Sequence, residues 1–88
     1  MKYTIAKNIS YRELENEVVV LNLSNGLYYT LNDTSSNIWK MLFVKKMAVQ
    51  KIVDGLHKKY KQDTGVIKAD VKEQLDYWLK EKLIAEQK

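Results

Sequence analysis

The sequence predicts an α+β domain in which a three-stranded antiparallel sheet is followed by three helices. The first observation is a change of hydrophobic period near residue 33, from the two-residue period of strands to the period of amphipathic helices. The second is a hairpin signal, Ser24-Asn25-Gly26, between two segments that favour strands. Since no connection before residue 33 is long enough for the crossover that parallel strands need, the sheet is predicted to be an antiparallel meander. The 88 residues are interpreted as one domain, 1–88.

The first predicted strand region shows regular alternation. Its apolar and aromatic side chains share one parity: Tyr3, Ile5, Ile9 and Tyr11. The residues between them are mostly small or polar, which is typical of a strand with one buried face.

The second and third strands flank the hairpin signal. Residues 17–23 include three consecutive valines and are apolar on both faces at their centre, as expected of a middle strand. Asn25 and Gly26 tolerate positive φ, so a tight turn is predicted before the third strand, Leu27 to Leu31.

Three amphipathic helices are predicted after residue 33. Asn32, Asp33 and Thr34 are all suitable N-cap residues for the first helix. The apolar stripes of the three helices are Ile38, Trp39, Leu42 and Phe43, then Val49, Ile52, Val53, Leu56 and Tyr60, then Ile67, Val71, Leu75 and Trp78. We expect the third helix to run to about Lys82, and Leu83 and Ile84 to fold back onto the core.

The sequence contains no recognisable catalytic constellation. His57 is the only histidine, there is no cysteine, and the three glycines form no phosphate-binding loop. We therefore predict no enzyme activity, no catalytic residue, no cofactor and no metal site. The absence of cysteine, of a signal peptide and of an apolar stretch long enough to span a membrane indicates a cytoplasmic protein.

The charge distribution leaves a nucleic-acid-binding role open as an alternative. The net charge is +4; residues 1–33 carry three basic and four acidic side chains, whereas residues 34–88 carry twelve basic and seven acidic ones. Three helices with a small sheet can also form a winged helix that binds DNA. However, the third helix alternates acids with lysines, and its acids would face the phosphates. No nucleic-acid partner is therefore predicted.

The third strand is predicted to be an unprotected sheet edge. In a meander of order 1-2-3 it lies at one side, and Leu27 to Leu31 contains no lysine or proline to prevent pairing with another chain. A helix or the C-terminal tail could cover this edge. Alternatively, a partner peptide adds to it as a fourth strand.

The same segment carries a resemblance to a known family. Gly26-x-Tyr28-Tyr29-x-Leu31-Asn32, then Thr34, Ile38-Trp39 and Leu42, resembles the core motif of PqqD-like proteins, also called RiPP precursor peptide recognition elements. The later segments agree, with Ile52, Leu56 and Tyr60, then Asp70-Val71, Leu75, Trp78 and Leu83-Ile84. The resemblance covers about residues 16 to 84.

Three positions depart from the family pattern. Val44-Lys45-Lys46 stands where the family often has an Asp-Gly turn, and Lys82 replaces the glycine before the final Leu-Leu pair. Gln74 occupies a position that is aromatic or apolar in the family. The first two departures concern turn geometry, and the third concerns the peptide groove.

The resemblance implies a winged helix-turn-helix-like fold that binds a peptide instead of DNA. Family members bind the leader segment of a ribosomally made precursor peptide as an added strand, between the third strand and the third helix. Transferred to this chain, the peptide-binding residues would be Leu27, Tyr28, Tyr29, Thr30 and Leu31 on the strand, and Asp70, Val71, Gln74, Leu75 and Trp78 on the helix. Of the two tyrosines, the one facing the helices is expected to be core and the other a candidate contact, and Tyr77 is expected to lie farther round the helix.

The resemblance also implies maturation enzymes as partners. The stand-alone length and the Tyr28-Tyr29-x-Leu31-Asn32 form are most similar to leader-binding proteins of lasso-peptide pathways, which work with a leader peptidase and a cyclase. The alternative is a PqqD-type chaperone that presents its peptide to a radical SAM enzyme.

Overall fold

The structure, a computed structural model, describes residues 2–15 and 17–87. Met1, Asn16 and Lys88 lie outside the described residues, and with them the two predicted domain ends and the start of the family resemblance. The elements in chain order are β1 (Lys2–Ile5), β2 (Ile9–Glu13), β3 (Val18–Asn22), β4 (Tyr28–Thr30), α1 (Asp33–Trp39), a π-helical turn (Lys40–Val44), α2 (Val49–Tyr60), α3 (Thr64–Lys80) and β5 (Ile84–Gln87).

The predicted antiparallel meander is confirmed as the sheet β2-β3-β4. Val20 pairs with Tyr11 of β2 on one side and with Tyr29 of β4 on the other. Because side chains alternate between faces, these three residues lie on one face, together with the buried Val18 and Leu31. This face packs against the helices.

The prediction of a single first strand is wrong, because this region forms two strands, β1 and β2. The chain breaks after Ile5, and Asn8 adopts a left-handed φ of 65° before β2 begins. β1 then leaves the meander and pairs antiparallel with β5, with Ile5 opposite Ile84. The predicted return of the tail to the core is thus a strand pairing, and it ties the two ends of the described chain together.

The hairpin between β3 and β4 is built by asparagine side chains as well as by glycine. The carboxamide oxygen of Asn22 accepts from the Ser24 N–H at 2.9 Å, and that of Asn25 accepts from the Leu27 N–H at 2.9 Å. Gly26 has φ 76°, which a residue with a side chain adopts only at a cost. The predicted turn residues therefore set the register of β4.

Two of the three α-helices begin at a capping side chain, whereas α2 follows Ala48 without one. Asn32 caps α1 by accepting from the Ser35 N–H at 2.8 Å, and Asp63 caps α3 by accepting from the Gly65 N–H at 3.0 Å. α2 coincides with its predicted stripe, Val49 to Tyr60. α3 ends at Lys80, two residues before its predicted end.

The core lies between the sheet and the helices and is centred on two indoles. Trp39 and Trp78 are fully buried, and their rings meet edge to face at 5.1 Å between centroids. Tyr11 and Phe43 extend the aromatic cluster on either side of Trp39. Among the described residues, neither indole N–H has a hydrogen-bond acceptor. The weak acceptor that remains to each is the face of a neighbouring aromatic ring.

A buried hydroxyl joins the sheet to α1. Ser36 is 1% exposed; its Oγ accepts from the Val18 N–H at 2.9 Å and donates to the Leu31 carbonyl at 3.1 Å. The Leu31 N–H donates directly to the Val18 carbonyl at 2.9 Å. The hydroxyl therefore bridges the Val18 N–H and the Leu31 carbonyl, which would otherwise form the second backbone hydrogen bond of this pair. It also holds the end of β4 against the first turn of α1.

We expect Ser36→Ala to lower the free energy of unfolding by about 1–3 kcal/mol, because it leaves the buried Val18 N–H without an acceptor. Urea denaturation followed by circular dichroism measures this change. Ser10→Ala, on the exposed side of β2, is the control and should shift stability by less than about 0.5 kcal/mol. Equal effects of the two substitutions would contradict the bridging role of Ser36.

Two of the family departures are lysines in left-handed conformations. Lys46 has φ 54° after the π-helical turn, and Lys82 has φ 61° after α3. At the second site the Leu83 N–H donates to the Trp78 carbonyl at 2.9 Å and the Lys82 N–H to the Leu79 carbonyl at 3.1 Å. This is a Schellman motif, and its left-handed position is usually glycine. Both left-handed turns are therefore made without glycine.

Lys82→Gly should raise the free energy of unfolding by roughly 0.5–1 kcal/mol, since relief of about 1–2 kcal/mol of left-handed strain exceeds the added entropy of the unfolded chain. Lys68→Gly is the matched control inside α3, where glycine should cost about 1 kcal/mol. Thermal and urea unfolding of both variants measure these opposite signs. A loss of stability in Lys82→Gly would show that its side chain contributes more than the strain costs.

Candidate functional site

An open groove runs between β4, the start of α1 and one side of α3. It encloses about 690 Å³. Its lining residues are Tyr29, Thr30, Leu31, Asn32, Thr34, Ser35, Ile38, Asp70, Glu73, Gln74 and Tyr77. The segment from residue 29 to 38 therefore supplies one wall and the floor, and α3 supplies the other wall.

The strand wall of the groove is an unpaired sheet edge. β4 is the outer strand of the meander, and its direct bonds to β3 run through odd positions: the Leu31 N–H donates to Val18, and the Leu27 carbonyl accepts from the Asn22 N–H at 2.8 Å. Because the two directions alternate along an antiparallel strand, the N–H and C=O groups of Tyr28 and Thr30 point away from β3. These four polar groups are available to a further strand.

The two adjacent tyrosines lie on opposite faces, and Tyr29 is the one that lines the groove. Tyr29 is half-buried against the core, and its hydroxyl donates to Glu81 Oε1 at 3.2 Å. Burial, followed by this hydrogen bond, raises the pKa of the Tyr29 phenol above its ordinary value. Tyr28 is 69% exposed on the outer face. Tyr29 is therefore the helix-facing tyrosine that is expected to be core, and it lines the groove as well; the contact of Tyr28 with a peptide stays a prediction.

The floor is closed by a hydrogen bond between α1 and α3. Ser35 Oγ donates to Gln74 Oε1 at 2.5 Å, and Ser35 is buried. This contact gives a physical reason for the third family departure, because a glutamine at position 74 satisfies a buried hydroxyl that an apolar side chain would leave unpaired. The amide nitrogen of Gln74 remains available for donation into the groove.

The α3 wall is made by residues spaced three and four apart. Asp70, Glu73, Gln74 and Tyr77 lie on one face of the helix and all line the groove. Tyr77 is 47% exposed and lies farther round α3 from the buried stripe than Asp70 and Gln74, as expected, yet it lines the groove with them. A smaller pocket of about 200 Å³ adjoins the groove at Asp70.

The structure separates the predicted site residues into three groups. Tyr29, Thr30, Leu31, Asp70 and Gln74 line the groove. Leu27 and Tyr28 are exposed beside it and do not line it.

The remaining predicted residues are Val71, Leu75 and Trp78. They are 1%, 3% and 0% exposed and belong to the core. Val71 reaches only the smaller pocket, and Leu75 and Trp78 line neither cavity. These three side chains support the α3 wall from beneath.

Several lining residues were missed from the sequence: Asn32, Thr34, Ser35, Ile38, Glu73 and Tyr77. The residues of α1 were assigned only to capping and core. Glu73 and Tyr77 were identifiable, because they stand three and seven positions after Asp70 and therefore share its face. Within residues 2–15 and 17–87, no cluster of three His, Asp or Glu side chains is arranged to hold a metal ion. No helix in that part of the chain is both long and apolar enough to cross a bilayer.

Comparison with known proteins identifies solved structures of the same fold. No curated relative matches the sequence significantly. One solved structure, described as TbiB1 in complex with the TbiA(beta) leader peptide, is 26% identical, with a TM-score of 0.88 over 100% of this chain and 99% of that chain. A second, a lasso peptide synthetase B1 complexed with the leader peptide, shares the fold at 17% identity, with a TM-score of 0.89 over 98% of this chain and 100% of that chain.

A family model covers most of the chain. The model is that of coenzyme PQQ synthesis protein D (PqqD), and it matches residues 17–84, from the start of β3 into β5. The matched region contains β4, α1 and α3, and hence every residue that lines the groove. This chain therefore belongs to the PqqD family.

Proposed function

We propose that this protein binds the leader segment of a ribosomally synthesised precursor peptide and delivers it to maturation enzymes, without catalysing a reaction itself. The observation that carries the proposal is the unpaired edge of β4 facing the groove. Tyr28 and Thr30 offer four backbone groups there, in the arrangement that a strand added to a sheet requires. The whole domain, residues 1–88, would act as a peptide-binding module.

The free energy of the backbone hydrogen bonds alone is too small for tight peptide binding, so side-chain contacts in the groove are needed as well. Four backbone hydrogen bonds at about 0.5–1.5 kcal/mol each give roughly 2–6 kcal/mol. Micromolar binding needs about 8 kcal/mol after the peptide has been ordered. Side-chain contacts with the α3 wall and with the Ile38 floor must therefore supply a large part of the affinity and the selectivity.

We infer that the partner enzymes belong to lasso-peptide biosynthesis, namely a leader peptidase or cyclase. The two similar structures are both leader-peptide complexes of chains of about this length, and one is described as a lasso peptide synthetase B1. Presentation to a radical SAM enzyme, as for PqqD, is the alternative. In either pathway the peptide is made by ribosomes, so we place the protein in the cytoplasm.

The acidic α3 wall argues against a nucleic-acid role. In a winged helix that binds DNA, the exposed face of the recognition helix meets phosphates and bases. Here the face that borders the groove carries Asp70 and Glu73 and no lysine. Phosphates at this position would be repelled.

Thr30→Pro tests strand addition directly. The substitution removes an N–H that points away from β3, so it should leave the fold intact while weakening peptide binding by roughly tenfold or more. The probe is a peptide selected on the wild-type protein from a display library of random peptides of about twelve residues, enough for one strand and its flanks. Fluorescence polarisation of the labelled peptide measures the dissociation constant.

Glu13→Pro is the matched control, because Glu13 stands at the opposite edge of the same sheet with its N–H directed outward. It should bind the probe like the wild type. Leu31→Pro is unsuitable, since the Leu31 N–H donates to Val18. Wild-type affinity in a folded Thr30→Pro variant would contradict strand addition.

Backbone NMR maps the occupied surface independently. The selected peptide should shift the amide signals of residues 28–32 and of residues 70–77, because these segments form the two walls. Shifts confined to the lysines of α2, produced by duplex DNA and abolished by moderate salt, would instead support nucleic-acid binding.

A further inference from the structure

We propose that the groove selects peptides carrying a lysine or arginine side chain directed at Asp70 and Glu73. The inference deepens the proposed function and rests on it, since it assigns a chemical class to one side chain of the peptide that pairs with β4. Two observations carry the proposal: the groove lining has negative charges only, and neither carboxylate forms an ion pair with a described residue.

The groove is acidic in a basic protein. The chain has 15 lysine and arginine residues and a net charge of +4, yet none of the residues lining the groove is cationic. Asp70 and Glu73 are the two charged residues of the lining, and both are on the α3 wall. An anionic side chain placed there would meet two negative charges and no positive one.

These two carboxylates also lack partners on their own helix. The positions three and four residues from Asp70 are Val66, Ile67, Glu73 and Gln74. Those around Glu73 are Ala69, Asp70, Asp76 and Tyr77. Neither set contains a lysine, so the short-range ion pairs that usually neutralise helix acids are unavailable.

The contrast with Asp76 shows that the arrangement is specific to this face of α3. Asp76 pairs with Lys72 at 3.0 Å, on a side of the helix away from the groove. This is the sole ion pair among the residues that the structure describes, so no described cation lies within 4.0 Å of Asp70 or Glu73. The lysines of α3 neutralise the outer face and leave the groove face negative.

Strand geometry fixes which peptide residues meet this charge. A strand paired with β4 alternates its side chains, so every second residue lies on the sheet face of Tyr29 and Leu31. That face is bordered by α3. A lysine or arginine at one of these alternating positions can extend its aliphatic part along Tyr77 or the floor and place its charge between Asp70 and Glu73.

The experiment compares peptide selection by four forms of the protein. A display library of random peptides of about twelve residues is selected on the wild type, on Asp70→Lys/Glu73→Lys, on Asp54→Asn/Glu86→Gln and on Thr30→Pro. We expect the wild type to enrich lysine or arginine at one position of a period-two pattern, and the charge-reversed variant to enrich aspartate or glutamate there. Asp54 and Glu86 are exposed and outside the groove, so their variant should select like the wild type.

A titration then gives the size of the effect. For a peptide enriched on the wild type, replacing its basic residue by norleucine should weaken binding roughly three- to tenfold, as should Asp70→Asn/Glu73→Gln in the protein. The two changes made together should weaken binding little more than either alone. Added salt should reduce the affinity of the basic peptide more than that of the norleucine peptide.

The outcomes separate the two proposals. No enrichment of basic residues on the wild type, or the same preference after charge reversal, would overturn the charge selection while leaving strand addition standing. Peptides captured equally well by the wild type and by folded Thr30→Pro would overturn strand addition, and the charge proposal with it.

Discussion

The hydroxyl of Ser36 is the contact on which the position of the groove depends. By joining the Val18 N–H to the Leu31 carbonyl, it holds together the end of β4, the start of β3 and the first turn of α1. The groove wall turns from strand to helix at this point, and Asn32 caps α1 beside it. If the Val18 N–H bonded directly to the Leu31 carbonyl, this hydrogen-bonded link between α1 and the strand edge would be lost. The bridge makes strand edge and helix one rigid wall, which is what binding a peptide without prior rearrangement requires.

α3 is attached to that wall by two further contacts of different kinds. The indole of Trp78 packs against Trp39 in the core, and Gln74 accepts from Ser35 at the groove floor. The size of the packed indoles sets how far α3 lies from the sheet. The hydrogen bond is directional, so it sets the rotation of α3 about its own axis. Rotation decides which side chains face the peptide: a turn of one residue, about 100°, would replace Asp70 by a neighbour and change the charge of the groove. The glutamine at a position that is apolar elsewhere in the family thus has a structural reason.

The sequence predicted those features that depend on local pattern. Period-two alternation identified the strands, Asn25-Gly26 identified the hairpin, and the stripe from Val49 to Tyr60 matches α2 residue for residue. The split between β1 and β2 was missed because Ile5 and Ile9 are four positions apart, so the alternation keeps its parity across the break. The pairing of β1 with β5 joins the two ends of the described chain, and no local pattern specifies such a partner. The sequence could not separate groove residues from core residues on α3 for a related reason: Leu75 and Trp78 share a helix with Gln74, and only the packing shows that the groove passes Gln74 and not the other two.

The free edge of β4 that a peptide needs for strand addition could also pair with a second copy of the protein. An apolar strand edge without lysine or proline pairs readily with other chains, including another copy of itself. Here the free edge is only Tyr28 to Thr30, and α3 stands opposite it with two carboxylates. A second copy of β4 would bring no cation to Asp70 and Glu73, since the segment from Leu27 to Leu31 has none. Peptides with a basic side chain at the right alternate position would gain from the same charges. The acidic wall therefore offers self-pairing no ionic attraction, whereas under the proposed charge selection a basic peptide would gain one, and this difference would favour the peptide over a second copy.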